Sequence, residues 1–354
     1  MDPAWRELQL ASGAVFEDPA VVVSLAGFAG APDALHYGDP RGEYFAARDG
    51  AAIFDLHDRT QIEITGRDRV AFLNNFCTND VKKLEPWQGC EAFLTNVKGR
   101  ILAHVFVFVD SDSIWLETVA GAAPAIIAHL DKYVITEDVQ LPDRTEEWGE
   151  LFACGPGSID RSLRKFVSFS QRIASSGLGR TRRVDLFGVP GVLTSLNTGE
   201  AGVLLRETWE VWTRPGGKER RPAGAAAFHA LRIEARLPLV GVDIGEENLA
   251  QEAARTEQAI SFTKGCYLGQ EPIARLDALG HTNRELRTLR LEAGPVPAAG
   301  TPVFGNDQEI GRITSAALSY ADDKPVALAV IRRPFIAPGS QVTVGEPRTP
   351  AKVE

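Results

Sequence analysis

Hydrophobic and polar positions alternate along this chain in two periods, and the period changes mark its elements. Gln61-Ile62-Glu63-Ile64-Thr65 alternates as a half-buried strand does, and Gly66 supplies a turn. From Asp68 to Leu84 the period becomes helical: Val70, Leu73 and Cys77 share one face, widened by Phe72 and Phe76. That placement makes Cys77 a packing residue. Arg100 to Val109 reads as a long strand, with Ile114 to Glu117 pairing back across Asp110-Ser111-Asp112. Ala122 to Tyr133 is a second amphipathic helix. Ala223 to Arg236 is a third, with Phe228, Leu231 and Ala235 buried and Leu237-Pro238 ending it.

Phe166 to Arg183, rich in serine, glycine and arginine, reads as an exposed connection, and Arg214 to Lys218 as a loop followed by a solvated basic surface. From about Arg284 onward, short alternating segments separated by Gly-Pro, Pro-Gly and Asn-Asp turns predict a small all-β module. No internal repeat or low-complexity block interrupts the pattern.

Length and charge narrow the possibilities. A chain of 354 residues can bury more than one core. A formal net charge of -9 argues against broad nucleic-acid binding, which needs a cationic footprint. Apolar runs such as Val105 to Val109 are strand-sized, and the segment Met1 to Glu7 lacks a basic region followed by an apolar run. A cytoplasmic protein that engages no membrane is the expectation.

The four cysteines Cys77, Cys90, Cys154 and Cys266 show no C-x-x-C spacing and no metal-ligand cluster, so no metal site is expected. There is also no G-x-G-x-x-G, Walker A, G-x-S-x-G or H-E-x-x-H motif.

The densest chemistry lies in Lys264-Gly265-Cys266-Tyr267-Leu268-Gly269-Gln270-Glu271. A thiolate is favoured by a nearby ammonium, and glycines permit sharp turns. By residues alone the loop fits either a reactive thiol or an inert cysteine beside a tight turn. Gln270 and Glu271 can hold the loop's backbone, and Arg275 stands four residues beyond Glu271, in helical pairing distance. His281 and Arg284 stand where a hinge into the β module is expected.

This octapeptide resembles the signature of the folate-binding proteins that support iron–sulfur cluster assembly and repair, relatives of the aminomethyltransferase (T-protein) of the glycine cleavage system. Further segments are similar to that superfamily: Ala52 to Leu56, Ile64 to Asp68, Thr78 to Val81, Leu231 to Ala235 with Gly241 to Ile244, and Ile310 to Ser315. The resemblance implies an α+β, three-domain aminomethyltransferase-like fold with a central folate opening and a C-terminal β-barrel. Residues 1–59 and 148–240 would form a discontinuous domain around an insert at 60–147. Residues 241–283 would carry the signature loop, and 284–354 the barrel.

The resemblance also implies site residues. A folate site wants a carboxylate for the aminopyrimidine edge, apolar walls and an arginine near the tail. Glu200, in Thr198-Gly199-Glu200-Ala201-Gly202, falls on the pterin-holding glutamate; a charged turn between strands is the alternative. Arg232 lies beside the apolar stripe of its helix, from where its guanidinium can reach the edge of a groove, and it falls on an arginine of the folate site; a surface salt bridge is the alternative. Asn96 heads the segment Asn96 to His104, where aminomethyltransferases carry an acidic pair after the glycines; here those places hold Ala103 and His104. Alanine cannot accept a proton. Histidine can, although a lone strand histidine is commonly a satisfied, partly buried residue.

The function expected from this resemblance is a tetrahydrofolate-binding accessory protein for iron–sulfur cluster assembly or repair. Cys266 would be its reactive thiol, aided by Lys264, with iron–sulfur assembly proteins or client enzymes as partners. The alternatives are a folate-dependent aminomethyl- or methyltransferase, or a partner protein that has lost the ligand.

Overall fold

The computed structural model describes residues 3–16, 34–158, 171–176, 179–198, 202–214 and 220–354. Glu200 and the loop at 215–219 lie outside the described residues. The chain opens with α1 (Pro3–Ala11), β1 (Val15–Phe16), β2 (Ala34–His36), α2 (Pro40–Asp49) and β3 (Ala52–Asp55). A second group follows: β4 (Thr60–Ile64), α3 (Arg69–Phe76), β5 (Gly89–Thr95), β6 (Ile101–Val109), β7 (Ile114–Thr118) and α4 (Ala123–Asp131). The chain then returns through β8 (Trp148–Cys154), β9 (Gln171–Ser176), β10 (Gly179–Val184), β11 (Gly191–Asn197), α5 (Val203–Thr213), β12 (Arg221–Ala223) and α6 (Ala225–Glu234). Two further helices, α7 (Thr256–Ala259) and α8 (Gln270–Leu279), lead into β13 (Arg284–Leu291), β14 (Pro302–Gly305), β15 (Gln308–Ser319), β16 (Lys324–Arg332), β17 (Gln341–Val344) and β18 (Thr349–Val353).

These strands form a six-stranded sheet in the order β12-β3-β8-β11-β10-β9, a four-stranded sheet β4-β7-β6-β5, and a closed barrel β13-β16-β15-β14-β17-β18. The fold is therefore α+β with a C-terminal barrel. β8 returns to pair with β3 after the whole β4 to α4 excursion, so the second sheet is an insertion in the first. No helix among the described residues is long and apolar enough to cross a membrane.

The two faces of β6 decide what the second sheet presents. Side chains alternate along a strand. Ala103, Val105, Val107 and Val109 pack with Phe72, Leu73, Ile126 and Leu130 beneath α3 and α4. Phe106 and Phe108 join the other core, with Phe54, Phe152 and Leu193 of the first sheet and Leu231 of α6. Anything on the Phe106 face therefore looks toward the first sheet. The long helix expected over 68–84 is shorter: α3 stops at Phe76, and a 3-10 turn covers Val81–Lys83. Cys77 closes α3 and is buried, as its position on the helical face requires.

The stretch taken as an exposed connection contains β9 and β10, and Arg180, Arg182 and Val184 point inward from β10. Charged residues at alternate inward positions hide a strand from hydrophobicity. Arg182 is tolerated there because Glu117 of β7 and Glu150 of β8 meet it, and Arg180 because the Trp115 and Trp148 rings enclose it.

Candidate functional site

The signature loop is pinned from three sides and leaves its thiol outside. Lys264 is buried, and its Nζ donates to the carbonyls of Asn74 (2.6 Å), Cys77 (2.8 Å) and Asn79 (2.7 Å). Those are the carbonyls that the end of α3 and its following turn leave without helical partners. The sulfur that Lys264 approaches is Cys77, at 4.0 Å, and not Cys266. The expected activation of Cys266 by this ammonium is thus replaced by a structural role. Tyr267 is buried against Phe93, Ile101 and Ile273, with Lys264 Nζ 4.9 Å from its ring centre, and burial pushes its hydroxyl up to about 12.

Gly269 precedes α8 with φ of 82°, and a Cβ there would stand 2.5 Å from the Asn96 carbonyl. Leu268 donates to Asn75 O (2.8 Å) and accepts from Thr95 Oγ1 (2.9 Å). Gly265 faces open space, Gln270 opens α8, and Glu271 is exposed with no ion pair to Arg275. Cys266 is exposed.

Replacing Lys264 with methionine removes the donor of three carbonyls, and we expect a loss of about 1–3 kcal/mol in a urea titration. Alkylation of Cys266 by iodoacetamide should stay within about twofold of wild type under native conditions, because no ammonium–thiolate contact is lost.

Asn96 shapes its own turn. Its Oδ1 accepts from the amides of Lys98 (2.9 Å) and Arg100 (3.2 Å), so this side chain is committed to the β5–β6 connection. Arg232 departs further from expectation. Instead of reaching a groove edge, it is 0% exposed and pairs with Asp243 at 2.9 Å. It also donates to Ser315 Oγ of the barrel (2.8 Å), Leu237 O (3.3 Å) and His229 Nδ1 (2.9 Å). Asp243 in turn accepts from Thr314, Ser315 and the Leu239 amide. This cluster clamps α6, the 237–243 loop and β15 together.

Between the two sheets lies a layer of buried charge that the sequence reading missed. Arg182 of β10 contacts Glu117 of β7, lies 3.6 Å from Glu150 of β8 and donates to Ser195, while Arg59 Nε lies 3.3 Å from Glu150. Arg180 sits between the rings of Trp115 and Trp148, at 3.3 and 3.8 Å from their centres. Burial pushes the Arg180 and Arg182 guanidinium groups down and the Glu150 carboxyl up.

On the same face, His104 Nε2 lies 2.7 Å from Glu91 Oε1. Arg255 holds both oxygens of Glu91, at 2.7 and 2.5 Å. Burial alone would raise the Glu91 carboxyl, but His104 and Arg255 outweigh it and hold it down at about 2. A folded value below the unfolded one gives stability that is complete above about pH 4.5 and is lost as pH falls toward 2. From a shift of that size, Glu91→Gln is expected to remove about 3 kcal/mol at pH 7 and much less at pH 3, read by urea titrations at both pH values.

Beside this layer opens a cavity of about 420 Å³, lined by Trp5, His57, Asp58, Thr145, Glu146, Trp148, Thr198, Gly202, Leu205 and Arg206. Trp5 is fixed by its Nε1 donating to Asp55 at 2.8 Å, and Gln9 donates to the same oxygen. Thr198 and Gly202, the described residues nearest Glu200 in the chain, both line it. Two tryptophans and a leucine give apolar walls, Asp58 and Glu146 carboxyl groups, and Arg206 a guanidinium. The visible signal for this site was the charged stretch Asp55-Leu56-His57-Asp58-Arg59 directly after a buried strand.

The profile of the GCVT N-terminal domain matches residues 11–264, and that of the glycine cleavage T-protein C-terminal barrel domain matches residues 284–354. The chain belongs to the glycine cleavage T-protein family. Among its relatives, an aminomethyltransferase of Rubrobacter xylanophilus is 27% identical over 95% of this chain and 91% of its own. One of Thermoanaerobacter pseudethanolicus is 28% identical over 85% of this chain and 84% of its own. A putative chloroplastic transferase of Arabidopsis thaliana is 26% identical over 84% of this chain and 69% of its own. The crystal structure of the glycine cleavage aminomethyltransferase of Bartonella henselae superposes with a TM-score of 0.83 at 23% identity, covering 99% of this chain and 95% of that one, which establishes the shared fold.

Within this T-protein fold, the acidic-pair positions separate onto opposite faces of β6. Ala103 faces the helix-covered core, and His104 faces the first sheet.

Proposed function

We propose that this chain binds a reduced folate in the cavity walled by Trp5, Trp148 and Leu205, and acts as a folate-dependent transferase of a one-carbon unit. The observation that carries this reading is the cavity's donor set. It combines apolar and aromatic walls for a flat ring, carboxyl groups for an aminopyrimidine edge and Arg206 for a carboxylate tail. Its volume lies in the range of small-molecule sites. The aminomethyltransferases among the relatives support the reaction class. Glu200 remains the proposed pterin anchor. Arg232 and Asn96 support the site by holding the framework.

Calorimetric titration with tetrahydrofolate tests the proposal. Binding of micromolar order is expected for the wild type, weakened about tenfold in Asp58→Asn and in Arg206→Ala. Absence of binding to the wild type would remove folate from the account.

A second reading, an accessory role in iron–sulfur cluster assembly or repair, is favoured by one observation. Cys266 is held exposed on a loop that is otherwise tightly fastened. Under that reading Cys266→Ser abolishes support of cluster enzymes in cells while folate affinity is retained. Normal cluster-enzyme activity with the serine variant would end it.

A further inference from the structure

A second cavity, of about 540 Å³, opens where the chain between α6 and α7 lies against the barrel, and it shares no lining residue with the cavity walled by Trp5 and Trp148. The barrel supplies it with arginines from three strands. Antiparallel pairing sets Arg284 of β13 directly opposite Arg332 of β16, and Arg312 of β15 opposite Val330. Opposed residues share a face of a sheet, as do residues two apart on one strand, so all three arginines line the cavity. Like charges set opposite each other on one face repel, and such a cluster calls for counter-charges.

Most of the charge here is already matched. Arg284 Nε donates to Glu252 Oε2 at 3.1 Å, and its Nη2 donates to the Glu247 carbonyl. Arg312 pairs with Glu309 at 2.8 Å. Asp243 is held by Arg232, Thr314 and Ser315. Two groups are left over, the Arg332 guanidinium and the Glu247 carboxylate. Both side chains are exposed and line the cavity, and among the described residues neither has an ion pair or a side-chain hydrogen bond, with each other or with any other group. On a convex surface such charges are simply hydrated. These two stand instead in a concave site whose lining also includes Val242, Ile310 and Val330, and whose volume suits a small molecule.

We infer that this cavity binds a zwitterionic amino acid. Its carboxylate sits on Arg332, whose planar fork matches two oxygens, and its ammonium sits on Glu247. A simple anion satisfies Arg332 and leaves Glu247 facing a like charge; a simple cation does the reverse. A ligand carrying both charges matches both groups, and Val242 and Val330 offer apolar surface to its carbon chain. The pairing of Arg312 with Glu309 keeps each from competing for the ligand's charges. The site is independent of the folate reading above.

Calorimetric titration of the full chain with alanine, serine and 4-aminobutyrate tests the assignment, the last of these holding its two charges farther apart. Acetate, methylamine and inorganic phosphate are the controls that carry charge of one sign. At least one of the three amino acids should bind with a Kd of about 1 mM or below, and about tenfold or more tighter than any control. Arg332→Gln and Glu247→Gln should each weaken that binding about tenfold or more. Because neither side chain has a partner in the fold, both variants should keep the wild-type midpoint in urea.

Binding of none of the three amino acids would overturn the assignment. So would acetate or phosphate binding as tightly as the best of them, which marks a site for an anion alone, or an affinity unchanged in either variant.

Discussion

Arg232→Ala should cost about 3–5 kcal/mol of stability, because it leaves the buried Asp243 carboxylate without its counter-charge. The loss reaches beyond one ion pair. Arg232 bridges α6 to the barrel through Ser315 and to the following loop through Leu237 O, so the truncation also strands those acceptors. Urea unfolding followed by circular dichroism measures it. The conservative Arg232→Lys should recover little, since one ammonium cannot span acceptors lying in three directions. A loss below about 1 kcal/mol in Arg232→Ala would contradict the clamp. A folate-binding deficit in this variant would therefore report misfolding, and cavity residues are the proper probes of the ligand.

The second large effect is expected at Arg182. Its removal leaves Glu117 and Glu150 buried between the sheets with less positive charge between them. Arg182→Met should lower stability by about 3–5 kcal/mol at pH 7. The pH dependence carries the signature. Burial already raises the Glu150 carboxyl, so the folded state binds a proton there at a pH where the unfolded chain has lost it, and loss of the nearby Arg182 charge strengthens that effect. Stability of the variant should then rise as pH falls from 7 toward 5, opposite in sign to the acid loss that Glu91 contributes. Urea titrations at pH 7, 6 and 5 read this directly. A profile no steeper than that of the wild type would mean that the layer does not hold its carboxylates by Arg182.

Much of this architecture was legible because periodicity is a local property. The strand before Gly66, the long β6, the helix α6 and the change to an all-β module at Arg284 follow from patterns only a few residues wide. Cys77 was correctly placed in the core by the same logic.

What failed to show was partnership across the chain. Arg232 sits beside an apolar stripe and reads as a groove-edge cation, but its acceptors Asp243 and Ser315 lie 11 and 83 residues away. Lys264 is two residues from Cys266 in sequence, yet its carbonyl partners come from the far end of α3. Arg180 and Arg182 look like a solvated connection until the carboxylates of β7 and β8 are brought opposite them. His104 read as a lone strand histidine because Glu91 is 13 residues off and Arg255 still farther. In each case the side chain's own identity was plain and its counter-charge was not.

If folate occupies the cavity beside Trp5 and Trp148, tryptophan fluorescence of the full chain reports it directly during a tetrahydrofolate titration. The predicted result is saturable quenching of the wild type, with a smaller amplitude in Trp5→Phe and in Trp148→Phe, both shown by circular dichroism to be folded at the temperature of the titration. Saturable quenching of equal amplitude in all three proteins would place the ligand elsewhere, and no saturable quenching in any of them would contradict the claim outright.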